Sequence, residues 1–158
     1  MIRTMLLAMF LISSGAAKLP ELKLGARVPS NAKESESHIL VSPAQIQKEW
    51  RWTYDGEAYS LGVDENKRIQ FLSTKSPNVM TPEGVYIGQS FSELKKVKGV
   101  EIFEWPGWGY VAELKSGWMA AIFIGYTMTE HYPEPNDKVQ LLFRGTAAGY
   151  GETLSQDK

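Results

Sequence analysis

Three glutamates lie close together in the sequence of the second half of the chain, at Glu101, Glu104 and Glu113, and two of them could act as a catalytic acid and base. The residues around them alternate between apolar and polar, which places the glutamates on neighbouring predicted strands. Two carboxylates that face each other across a sugar can hydrolyse a glycosidic bond. Carboxylates at this density also form ordinary solvated strand faces. One of two candidate functions is therefore a small cell-envelope enzyme that acts on wall sugars through these strand carboxylates. It is the alternative to a binding function.

Aromatic residues surround one predicted turn, at Trp105, Trp108 and Tyr110. A Pro-Gly pair favours the turn, and glycines on both sides leave Trp108 without bulky neighbours. Rigid aromatic side chains at such a turn can stack on a sugar ring or anchor a protein partner with little loss of entropy. These three residues are the candidate binding residues, and Trp108 is the one expected to project. The competing interpretation places Trp105 and Trp118 in the core.

Other catalytic and metal chemistry finds little support in the sequence. The chain has no cysteine, and its two histidines, His38 and His131, are far apart, so no metal site is predicted. Ser90 lacks the second glycine of a nucleophile elbow, and no glycine-rich phosphate loop links a strand to a helix. The sequence therefore predicts no catalytic residue, no metal and no cofactor.

The charge balance bears on the kind of partner. Seventeen basic and 18 acidic residues give a net charge of −1 at pH 7. Nucleic-acid binding and polybasic membrane binding both need a concentration of lysine and arginine that this chain does not have. A protein or a glycan of the cell envelope is the expected partner, with no nucleic acid.

Residues 1–17 have the three parts of a cleavable export signal. Arg3 is the basic part, residues 5–12 are apolar, and residues 13–17 are small. The apolar run is too short to cross a bilayer, and charged residues follow it directly. Cleavage after Ala16 or Ala17 would start the mature protein near Lys18. We expect a protein of the periplasm or the medium, without a membrane span after cleavage.

The rest of the chain is expected to form one globular domain. Residues 18–37 contain two prolines and no aromatic residue, which predicts a flexible arm. The β-rich domain is predicted over residues 38–145 and a frayed tail over residues 146–158. Within the domain, Ser42 to Gln45 resembles a helix start with Ser42 as cap.

Strands dominate the predicted elements. Alternating residues on both sides of Asp55-Gly56 predict a hairpin over residues 50–63, followed by a strand over residues 69–74. Further strands are predicted over residues 100–105, 109–114, 118–124 and 139–143. Ser90 and Glu93 form a capping box for a helix over residues 91–98, which Gly99 would end. The predicted fold class is α+β: an antiparallel sheet of six or seven strands packed on one short capped helix.

The segment Thr81-Pro82-Glu83-Gly84-Val85-Tyr86-Ile87-Gly88-Gln89-Ser90, with Glu93-Leu94-Lys95, Gly99 and Pro106-Gly107-Trp108-Gly109-Tyr110 after it, resembles a module of exported bacterial proteins. It is also distantly similar to a segment of small outer-membrane assembly lipoproteins and of secreted β-lactamase inhibitors. The chain lacks the lipidated cysteine of the former and the disulfides and tandem repeat of the latter. The resemblance covers about thirty residues and implies a turn, a strand and a capped helix, with no functional residue.

A secreted or periplasmic non-catalytic binding module, of the inhibitor or envelope-adaptor type, fits these observations best. Export, small size, the missing catalytic groups and the aromatic turn all favour it.

Overall fold

Antiparallel strands account for most of the regular structure. The computed structural model describes residues 15–42, 45–105, 109–122 and 132–145. Within them lie one short helix, α1 (Phe91–Leu94), and eight strands: β1 (Lys33–Ser42), β2 (Gln45–Tyr54), β3 (Glu57–Val63), β4 (Ile69–Thr74), β5 (Glu101–Trp105), β6 (Gly109–Glu113), β7 (Met119–Ile122) and β8 (Leu141–Gly145).

All eight strands belong to one sheet, in the order β1-β2-β3-β4-β8-β7-β6-β5, and every neighbouring pair is antiparallel. The sheet consists of two four-stranded meanders, β1–β4 and β5–β8. They meet where β4 pairs with β8, with Phe71 opposite Gly145 and Ser73 opposite Phe143. The two halves of the chain therefore depend on one strand pair to form a common sheet.

The predicted hairpin is confirmed. Strands β2 and β3 pair from Lys48 opposite Val63 to Tyr54 opposite Glu57. Asp55 and Gly56 have φ angles of 50° and 80°, the left-handed conformation that a two-residue hairpin turn requires. Strand β4 also has its predicted bounds.

The predicted α+β fold class is wrong, because the described structure is nearly all β, with eight strands and a helix of four residues. The capping box does form: Glu93 N donates to the Ser90 hydroxyl and Ser90 N donates to the Glu93 carboxylate. The helix nevertheless ends at Leu94, since the amides of Lys96 and Val97 turn to carbonyls three residues back. Phe91 and Leu94 are its only buried residues, so there is too little apolar surface to hold a second turn.

The larger core lies on the first face of the sheet. It contains Trp118, Leu61, Leu72 and Leu142, and α1 contributes Phe91. Two irregular segments cover it, residues 17–32 and residues 79–97. Loops rather than a long helix cover this face, because the apolar residues of 17–32 are spaced singly and the helix within residues 79–97 has only four residues.

Residues 18–37, predicted to be a flexible arm, are attached to the sheet. Gly25 N donates to Ile69 O at 2.7 Å, and Ile69 N donates to Ala26 O at 2.9 Å. The amide of Val28 donates to Lys67 O, and from Lys33 onward the chain is part of β1. The scattered apolar residues that seemed too few for a core each pack on the edge of the existing one: Leu19, Leu22, Leu24 and Val28.

The second face of the sheet carries a smaller cluster of Val41, Phe71, Val111, Ala121, Leu141 and Phe143. Phe71 lies between two glycines in the strand register, Gly62 on β3 and Gly145 on β8. Its ring stacks on Phe143 with centroids 5.5 Å apart. Because the glycines carry no side chain, the Phe71 ring and Val41 can lie against the sheet there.

The end of the β1–β2 hairpin differs from the prediction. Ser42 pairs with Gln45 as the last described pair of the hairpin, so both residues belong to strands and not to a helical turn. Pro43 and Ala44 lie outside the described residues. Alternation in β1 explains the strand, since Ile39 and Val41 pack on the second face.

Gly62→Ala should destabilise the domain by about 1–3 kcal/mol, the usual effect of overpacking. A methyl group at Gly62 would lie 2.5 Å from Val41 Cγ1 and 3.0 Å from Phe71 Cβ, so the hairpin end would have to move. Urea denaturation measures the loss. Ala58→Ser, at an exposed position of the same strand, is the control and should change stability by less than about 0.5 kcal/mol. Equal midpoints for the two variants would contradict this packing.

A hydrogen-bonded carboxylate holds the covering segment to the sheet. Glu83 accepts from Ser116 N at 2.6 Å and from the Ser116 hydroxyl at 2.9 Å. Arg144 donates to Ser116 O at 2.6 Å and lies over the Trp118 ring. Burial alone would raise the pKa of Glu83, but the bonds from Ser116 outweigh it and lower the pKa below its ordinary value.

Glu83→Gln should reduce the acid sensitivity of the domain. Because the folded pKa of Glu83 lies below the unfolded one, its ionised form adds stability above the unfolded pKa, which is lost as pH falls through the folded pKa. The fall in melting temperature from pH 7 to pH 3 should therefore be smaller in E83Q than in wild type. It should not vanish, because bonds from Ser90 lower the pKa of Glu93 as well. The exposed Glu36→Gln is the charge-matched control, and an E83Q profile equal to wild type would refute the role of Glu83.

Candidate functional site

The predicted aromatic turn is not assembled into one surface by its described residues. Trp105 is half-buried on the second face, with its ring 5.8 Å from that of Phe143. Tyr110 is only 8 % exposed, and its ring packs edge-on against Tyr132 at 5.3 Å. Trp105 pairs with Gly109, so Trp105 and Tyr110 leave opposite faces of the sheet. Trp108 lies outside the described residues, and its role stays a prediction.

Trp118 takes the core position that the competing interpretation gave it. It is 1 % exposed and is the largest fully buried side chain among the described residues. Trp105 packs less completely, on the smaller cluster. Both indoles thus serve mainly to hold the sheet together.

The strand carboxylates divide between two faces. Glu101 on β5 lies directly opposite Glu113 on β6, and both are exposed. Glu104 pairs with Tyr110 and therefore points to the other face. Strand β5 is an outer strand of the sheet. The structure brings two of the three glutamates together, on a solvated surface.

A groove of about 630 Å³ opens at the other end of the sheet, between the β1–β2 hairpin and the β3–β4 turn. Trp50 and Val63 form its apolar wall and belong to the first face. The ammonium of Lys67 lies 5.9 Å above the centre of the Trp50 ring. The remaining lining residues are mainly polar: Glu34, Gln45, Gln47, Lys48, Asp64, Glu65 and Asn66, together with Ile46.

Ile46, which lines the groove, forms an exposed aliphatic pair with Leu40. Leu40 and Ile46 face each other across β1 and β2 and are 40 % and 66 % exposed. Residues 46, 48 and 50 alternate along β2, so Ile46 lies on the same side of the hairpin as Trp50. Contiguous exposed apolar surface with a polar border marks sites of interaction with proteins or ligands.

Hydrogen bonds fix the polar side of the groove. One oxygen of Asp64 accepts from the amides of Asn66 and Arg68, at 2.9 Å and 2.8 Å. The other oxygen accepts from the Gln70 amide group at 3.0 Å. Lys67 has a φ of 57°, and its ammonium lies over the Trp50 ring. The turn is therefore ordered before any partner arrives.

Charges of both signs border the groove. Lys48 Nζ lies 3.7 Å from Glu34 Oε1, with both side chains about half exposed. Lys67 and Glu65 stand on the opposite side. Neither sign prevails, so a strongly charged ligand gains little here.

Sequence reasoning missed this groove because it assigned Ser42 to Gln45 to a helix start. The signal was the alternation of Ile46, Lys48 and Trp50, which continues the predicted hairpin toward the N terminus. Its continuation implies a partner strand before Ser42, and hence a second hairpin.

The part of the chain that the structure describes contains neither a cluster of metal-ligand side chains nor a membrane-spanning helix. There, no three histidine, cysteine or acidic side chains come together as a metal would require. No helix in the same part is long and apolar enough to cross a bilayer.

Comparison of the chain with protein-family models, curated proteins and solved structures finds no match. The resemblance to exported bacterial modules stays an expectation, and the case for a function depends on the geometry of the molecule.

Proposed function

We propose that the protein is a non-catalytic binding module of the cell envelope, exported to the periplasm or the medium, and that it holds a protein partner in the groove beside the β1–β2 hairpin. The observation that carries the proposal is the exposed pair of Leu40 and Ile46, of which Ile46 lines the groove together with the half-buried Trp50. Export is supported by the three-part signal over residues 1–17.

The shape and chemistry of the groove favour a protein over a glycan. Sugar rings stack on open aromatic faces, whereas the half-buried Trp50 ring has the Lys67 ammonium over it. Branched aliphatic side chains such as Leu40 and Ile46 bury well against apolar side chains of a protein. Mixed charges around an apolar centre also match the general composition of protein interfaces.

The carboxylate enzyme has weaker support. A glycosidase holds the sugar in a cleft between its two carboxylates and excludes water from one of them. Glu101 and Glu113 are exposed on an outer pair of strands, and Glu104 lies on the opposite face. No specific observation favours hydrolysis over binding.

A variant that carries both Leu40→Ser and Ile46→Ser should lose at least ten-fold in affinity for the partner, since about 1.4 kcal/mol corresponds to a factor of ten. The partner is first isolated from an envelope extract with the exported wild-type protein, and the affinity of each variant is then measured by titration. Met80→Ser is the matched control, because Met80 is an exposed apolar residue (44 %) that does not line the groove.

The same titration separates the two candidate surfaces. Full affinity of the double variant at an unchanged melting temperature would refute the groove. If Trp108→Ala abolished binding in that situation, the aromatic turn would be the binding surface instead. Loss of affinity in Met80→Ser as well would point to non-specific apolar capture and would also contradict the proposal.

A further inference from the structure

The chain joins the folded domain at Ala17 and Lys18. Ala17 N donates to Asn78 O at 2.9 Å and forms a parallel bridge with Val79. Lys18 N donates to Asp55 Oδ2 at 2.8 Å. Leu19 packs on the core, whereas Gly15 and Ala16 are exposed. The boundary between exposed and attached chain therefore coincides with the small residues at the end of the predicted signal.

The backbone N–H of Lys18 donates a hydrogen bond to a carboxylate that lies far away in the sequence. Asp55 belongs to the tight β2–β3 turn, 37 residues away, and is itself exposed. A neutral amide N–H interacts less strongly with a carboxylate than a positively charged donor does. An ammonium at the same position would add an ion pair with the carboxylate to this hydrogen bond.

We propose that the peptide bond between Ala17 and Lys18 is the processing site, and that the new α-ammonium of Lys18 docks on the Asp55 carboxylate. This inference rests on the export part of the proposed function and not on the groove. Water adds across the bond: the hydroxyl joins the Ala17 carbonyl, which becomes a carboxyl group, and the Lys18 nitrogen becomes an amine that is protonated at neutral pH. The peptidase supplies catalysis only.

Of the two cleavage points that the sequence permits, after Ala16 and after Ala17, the geometry favours the second. A cut after Ala16 would leave the ammonium on Ala17, opposite the neutral carbonyl of Asn78. A cut after Ala17 removes the bridge to Val79 but places the ammonium 2.8 Å from a carboxylate. Gly15 and Ala17 then occupy the third and first positions before the cut, which require small residues.

Other charged and titratable groups lie near Lys18 and Asp55, in the corner formed by the start of the attached chain and the β2–β3 turn. Lys18 Nζ lies 3.7 Å from Glu21 Oε1. Glu57, at the start of β3, accepts from Asn78 Nδ2 and from the Ser76 hydroxyl. Tyr54 and Tyr59 lie beside Asp55 and Glu57, and burial, followed by these negative charges, raises the pKa of Tyr59 to about 12. The acidic groups of the corner favour the charged form of an α-amino group.

The test compares the wild-type full chain with Asp55→Asn, both produced in a bacterial host that exports them. Intact mass of the exported forms should correspond to a first residue of Lys18 in both. Asn is tolerated at a positive φ, so the variant keeps the hairpin turn. NMR titration of the α-amino group from pH 6 to 10 should then give a pKa at least half a unit above its ordinary range of about 7.7–8.0 in wild type, and inside that range in D55N.

Thermal melts give a second readout. An α-amino pKa raised by folding adds stability below the unfolded pKa of about 8, and that stability is lost as pH rises through the folded value. The melting temperature of wild type relative to D55N should therefore be higher at pH 7 than at pH 10. A first residue of Ala17, or an α-amino pKa that is equal in the two proteins, would overturn the proposal. Neither result would affect partner binding by the groove.

Discussion

The pairing of β4 with β8 is the interaction on which the whole sheet depends. Each four-stranded meander is built from contacts between neighbours in sequence, but only this pair joins residues of the two halves in the sheet order. Its two faces are both apolar. Leu72 and Leu142 face the large core, and Phe71 and Phe143 stack on the opposite side. A strand pair packed on both faces shields its backbone hydrogen bonds from water.

Strand β4 also determines where the groove lies. Phe71 can hold Val41 close to the sheet only because Gly62 has no side chain. Because Val41 points to the second face, its neighbour Leu40 points to the first face, since side chains alternate along a strand. The opposite Ile46 follows by register. The exposed aliphatic pair of the proposed binding site is thus a consequence of packing in the middle of the sheet.

Local features were the ones that the sequence predicted well. Asp55-Gly56 defines a turn whose requirement for positive φ few residues meet, and the capping box of Ser90 and Glu93 needs only three residues of context. The length of α1 and the class of the fold were mispredicted, because they depend on how much apolar surface the rest of the chain offers. Residues 18–32 illustrate this point: their leucines are too sparse to build a core but sufficient to cover one.

The candidate site was harder to predict for the same reason. Trp105 and Tyr110 are five residues apart, yet their strand register sends them to opposite faces. Glu101 and Glu113 come together by register as well, on a surface where nothing suggests catalysis. Leu40, Ile46 and Trp50 carry no motif. Ile46 and Trp50 line one groove, and only the register of the β1–β2 hairpin places Leu40 opposite Ile46. Register and long-range packing, not residue type, decide which of these side chains can meet a partner.

Native-state hydrogen exchange tests whether the β4–β8 pair unites the sheet, because it reports the free energy of opening for each strand. Amides in β4 and β8 should exchange only through global unfolding, with the same dependence on denaturant for both strands, while amides at the end of the β1–β2 hairpin exchange through smaller openings. If β5–β8 lost protection as a unit while β1–β4 remained protected, the two meanders would be independent, and the claim that the β4–β8 pair unites them would be wrong.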